Sequence, residues 1–67
     1  MTSYKKNAGQ GTDVFFEIQQ LGESIKITAI DESTGTEVSI QGPATAPLAT
    51  LQYMAMKKLN YILAKSK

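Results

Sequence analysis

Asp31, Ser33, Gly35 and Glu37 recur at alternate positions of one polar stretch, and oxygen-bearing side chains in that rhythm suggest cation chemistry. A calcium loop asks for more, namely oxygen ligands at fixed positions over about 12 residues with glycine at the sixth. Gly35 is fifth from Asp31, and the turn formers around it point to a hairpin, so no metal is expected. Catalysis would need a nucleophile beside a base, or two carboxylates held in a cleft. The chain has no cysteine and no histidine, and its six acids are dispersed. The expectation is a protein that is not an enzyme and carries no cofactor.

A second constellation lies near the C-terminus. Lys57, Lys58 and Lys65 are interleaved with Tyr53, Met54 and Tyr61. Lysines with aromatic neighbours can contact a phosphate backbone and stack on bases, so Lys57, Lys58, Tyr61 and Lys65 are the candidates for a nucleic-acid surface. Against that stand the absence of arginine and a net charge of +1. A solvated helix face with tyrosines at the core margin accounts for the same residues. Gly42-Pro43 ahead of a helix could offer backbone donors to an anion. It lacks the second glycine and the lysine of a phosphate loop, and a strand-to-helix corner explains it better.

Charge is unevenly spread. Residues 13–37 hold six acids and one lysine, a net of −5, whereas residues 43–67 hold four lysines and no acid, a net of +4. The half rich in β-branched residues is therefore acidic and the other half basic.

With 67 residues the chain has room for one domain and one thin core. Having no cysteine, it must hold together by packing alone, which suits a reducing compartment. Residues 1–12 lack the apolar run of a secretory signal, and no stretch reaches the roughly 18 apolar residues of a membrane span. A soluble, cytoplasmic protein with no membrane partner is expected.

The elements follow from periodicity. Residues 1–12 combine Ser3, Asn7, Gly9, Gly11 and Thr12 with few hydrophobes, which predicts a flexible N-terminal arm. Residues 13–67 form the single domain. Val14, Phe16 and Ile18 alternate with Phe15, Glu17 and Gln19, the period of a strand with one buried face. After a turn at Gly22 comes a second strand, with Ile25, Ile27 and Ala29 on one side and Lys26, Thr28 and Ile30 on the other. A hairpin loop ending at Gly35 leads to a third strand with Val38 and Ile40 inward, stopped at Gly42-Pro43. From Thr45-Ala46-Pro47 a helix should run to about residue 64, with Leu48, Leu51, Ala55, Leu59 and Ile62 on one stripe and Lys57 opposite. The predicted fold is α+β, a three-stranded antiparallel β-meander packed on one C-terminal α-helix (βββα).

One helix covers one face of such a sheet. Phe15, Thr28 and Ile30 fall on the other face, which makes them the candidate interface of a homodimer or of a protein partner. A small accessory subunit of a larger protein is a further alternative, and an N-terminal arm folded over the face would remove the need for a partner.

The stretch Val14-Phe15-Phe16-Glu17, Gln20-Leu21-Gly22, Thr28-Ala29-Ile30-Asp31, Thr34-Gly35-Thr36-Glu37-Val38-Ser39-Ile40 and Gly42-Pro43 resembles a family of short alphaproteobacterial proteins of unknown function. The helix pattern Met56-Lys57-Lys58-Leu59-Asn60-Tyr61-Ile62-Leu63 is similar to theirs, so the resemblance spans residues 13–65. It implies a free-standing bacterial domain and brings no catalytic or binding residue with it.

Overall fold

The computed structural model describes residues 2–7, as backbone, and residues 13–65. Four antiparallel strands and one helix follow in chain order: β1 (Thr2–Asn7), β2 (Asp13–Leu21), β3 (Ser24–Asp31), β4 (Glu37–Pro43) and α1 (Leu48–Lys65). The sheet has the order β1-β2-β3-β4. Its last three strands and α1 are the expected βββα unit, in α+β class.

The first strand departs from the expectation of a flexible arm over residues 1–12. Thr2–Asn7 pair with β2 in antiparallel register, Tyr4 opposite Phe16 and Lys5 opposite Phe15. Ladder hydrogen bonds join backbone groups whatever the side chains are. The free edge of β2 can therefore order a segment whose composition supplies little apolar surface. Residues 1 and 8–12 lie outside the described residues.

Two glycines make the hairpins. Gly22 (φ 64°) sits in the two-residue turn that brings Leu21 opposite Ser24, and Gly35 (φ 75°) closes the β3–β4 loop. In that loop the Gly35 N–H donates to the Asp31 carbonyl at 2.8 Å, and the Asp31 N–H donates to the Thr36 carbonyl at 2.8 Å. Positive φ costs glycine nothing and other residues a steric penalty, so both turns are written into the sequence.

The predicted strand phase holds. Val14 and Phe16 from β2, Ile27 and Ala29 from β3, and Val38 from β4 are buried with Leu51, Ala55 and Leu59 of α1 in one cluster. Ile18, Ile25, Ile40, Met56, Ile62 and Leu63 pack around it. Burying a side chain such as Phe16 contributes roughly 1.5–3 kcal/mol.

No glycine or proline interrupts Leu48–Lys65, an 18-residue helix. The Pro47 carbonyl accepts the Leu51 N–H at 3.3 Å, so Pro47 stands at the cap, just before the first turn. Leu48 departs from the predicted stripe. It belongs to the turn before Leu51, where α1 first meets the sheet, and is 41% exposed.

Gly42 fixes where that meeting occurs. It lies opposite Ile25 on the helix-facing side of β4, and a Cβ there would come within 2.7 Å of Leu51 Cδ2. The missing side chain lets α1 approach closely. No helix among the described residues is long and apolar enough to cross a membrane.

Candidate functional site

The side of the sheet away from α1 is built in rows. In the first, Phe15 lies opposite Ile30 and Ile30 opposite Glu37; in the second, Glu17, Thr28 and Ser39 are aligned; in the third, Gln19, Lys26 and Gln41. β1 extends the first two rows with Lys5 opposite Phe15 and Ser3 opposite Glu17. Being hydrogen-bonded alongside β2, it lies in the sheet and does not fold across it. Among the described residues, no element lies over this face.

The predicted interface residues Phe15, Thr28 and Ile30 are thus brought together. Phe15 and Ile30 form a directly opposed cross-strand pair, both partly buried. Thr28, in the next row, is 9% exposed, and its Oγ1 lies 3.0 Å from Ser39 Oγ, a hydroxyl pair that satisfies both groups within the sheet. The face is an apolar pair at one end, a hydroxyl pair in the middle, and Glu17, Glu37 and Lys26 around them.

The lysines and tyrosines of α1 sort differently from the expectation. Tyr61 and Lys65 do come together: Lys65 Nζ lies 5.1 Å from the Tyr61 ring centroid and donates to its hydroxyl at 3.4 Å. Lys57 pairs with Tyr53, its Nζ 5.5 Å from the ring centroid. Both distances are within cation–π range. Lys58 turns away from the group and donates through Nζ to the Ser39 carbonyl of β4 at 3.1 Å. Neighbouring helix residues point about 100° apart, which sends Lys57 and Lys58 to different surroundings. The partner that sequence reasoning left out of this set is Tyr53; its spacing of four from Lys57 was the available signal.

Asp31 is a turn residue with a buried carboxylate, 1% exposed. Oδ2 accepts hydrogen bonds from Ser33 Oγ at 2.9 Å, Thr34 Oγ1 at 2.7 Å and the Thr34 N–H at 3.2 Å. Oδ1 is buried and accepts none among the described residues. The Thr34 hydroxyl holds the carboxyl below its usual range, burial pushes the other way, and the Ser33 hydroxyl and Thr34 N–H add to the lowering. Ser33 and Gly35, which shared the cation-like rhythm, instead bond to Asp31 itself. Among the described residues, no three acidic, histidine or cysteine side chains gather as a metal site.

A family model described as "Domain of unknown function (DUF6898)" matches residues 11–66, a span that takes in β2, β3, β4 and α1. No curated protein and no solved structure matches the chain.

Proposed function

The chain belongs to the DUF6898 family, and from that premise we propose that it is a non-enzymatic interaction module which pairs with a second copy through the sheet face opposite α1. The observation that carries this reading is the opposed pair Phe15 and Ile30 on a face that no described element covers. An aromatic and an isoleucine side by side form an apolar centre that association would remove from water. Glu17 and Glu37 border it and Lys26 lies two rows away, so the surface a second copy would meet carries both signs of charge.

The size of the face sets the expected strength. Strands about 4.8 Å apart make a four-stranded sheet about 19 Å wide. With paired segments about 25 Å long, a face-to-face contact buries about 500 Å² per copy, the lower end for a specific interface. A micromolar or weaker dimer follows. We place it in a bacterial cytoplasm, on the absence of cysteine and the resemblance to alphaproteobacterial proteins.

Sedimentation velocity between about 10 μM and 1 mM tests the reading. A mass that rises from one chain to two supports it, as does a Phe15→Glu variant that stays folded and monomeric. A wild-type chain that remains monomeric throughout would overturn it.

A further inference from the structure

Tyr53, Lys57, Tyr61 and Lys65 follow one another at steps of four along α1. Residues so spaced form a single ridge on a helix surface. Tyr53 is 64% exposed and Tyr61 61%, and Met54, at 50%, borders them. Each ring is followed by its own ammonium, Lys57 at 5.5 Å from the Tyr53 centroid and Lys65 at 5.1 Å from that of Tyr61. The ring-and-ammonium unit therefore occurs twice, eight residues or about 12 Å apart along the axis. No acid follows Glu37 in the chain, so α1 contributes positive side chains alone.

We propose that this ridge binds single-stranded nucleic acid, with bases stacked on Tyr53 and Tyr61 and phosphates held by Lys57 and Lys65. The ridge is convex, so its occupant must be flexible and bring both flat apolar faces and recurring negative charge. A single strand alternates base with phosphate as the ridge alternates ring with ammonium. A duplex hides its base faces in the stack and would leave the tyrosines unused. An anionic bilayer calls for a continuous apolar helix face, and the one α1 has, Leu51, Ala55 and Leu59, is buried against the sheet. Lys58, tied to the Ser39 carbonyl, stands outside the site. The ridge and the Phe15–Ile30 face are on different sides of the molecule, so a Phe15→Glu monomer keeps the activity.

Fluorescence anisotropy of the full chain with labelled oligothymidine and a mixed-sequence RNA of about 12 nucleotides tests this. Binding is expected at 50 mM salt and should weaken about sevenfold by 200 mM, the slope of two phosphate contacts on a single strand. Tyr61→Leu should weaken it about tenfold, and K57Q/K65Q should remove most of the binding together with its salt dependence, with circular dichroism showing an intact fold. No anisotropy change at 50 mM salt with 100 μM protein would overturn the proposal. So would equal affinity for a duplex of the same length, unchanged binding by K57Q/K65Q, or binding to phosphatidylserine-containing vesicles with none to the oligonucleotides.

Discussion

Phe15 and Phe16 are chain neighbours that face opposite sides of one sheet: Phe16 is 2% exposed against α1, while Phe15 pairs with Ile30 on the side that no described element covers. Adjacent residues of a strand always diverge in this way, so which phenylalanine is core depends on a one-residue register.

The two should differ sharply in what they contribute to stability. Phe16→Ala leaves a cavity among Val14, Ile27, Ala29 and Leu59 and should cost about 3–5 kcal/mol. Phe15→Ala leaves none in that cluster and should cost about 1 kcal/mol or less at concentrations where the chain is monomeric. Urea unfolding curves of both variants measure the difference, and equal losses would mean that the two faces are not distinct.

Gly42 and Leu51 should behave as a size-matched pair. Gly42→Val drives a side chain into Leu51, which is 4% exposed, and overpacking of this kind costs about 1–3 kcal/mol. In a Leu51→Ala background the same substitution should cost less, because the space it needs has been opened. A double-mutant cycle by thermal unfolding reads the coupling, and strict additivity would contradict the close approach.

The Asp31 turn gives the domain an acid limb. The folded-state pKa lies below the ordinary value of 3.8, so the carboxylate favours folding above about pH 4 and loses that contribution as pH falls through the folded value. Thr34→Val deletes the largest lowering influence and should raise the Asp31 pKa, shrinking the acid-dependent part of the stability. Carboxyl carbon shifts followed by NMR titration give both values directly.

Truncation separates β1 from the rest. Among the described residues, the buried cluster is drawn from β2, β3, β4 and α1. A chain starting at residue 11 should therefore still fold, with a lower melting temperature from loss of the β1–β2 ladder and a stronger tendency to associate through the bared edge of β2. Failure to fold would give β1 a larger role than the pairing alone implies.

How much of this was legible depended on whether a feature repeats along the chain or arises between distant parts of it. Val14, Phe16, Ile27, Ala29 and Val38 could be placed inward because alternation marks them, and Leu51, Ala55 and Leu59 because a helix period does. Phe15, Thr28 and Ile30 then fell together by difference. β1 could not be read, since residues 2–7 carry few hydrophobes and backbone pairing with β2 leaves no mark in the sequence. Gly42 looked like a strand end; its closeness to Leu51 exists only once the helix has folded back. Lys57 and Lys58 read as equivalent cations, and tertiary position gave them different partners. Asp31 was identifiable as a turn former, but the burial of its carboxylate was not.

The bond from Lys58 Nζ to the Ser39 carbonyl bears on how far such a sheet can grow. β4 is the outermost strand on its side, and an incoming chain that tried to template on it would find a carbonyl already taken and an ammonium to evict. Fibrillar stacking is thereby obstructed at one margin, so any runaway polymer of this domain would have to propagate from the opposite one.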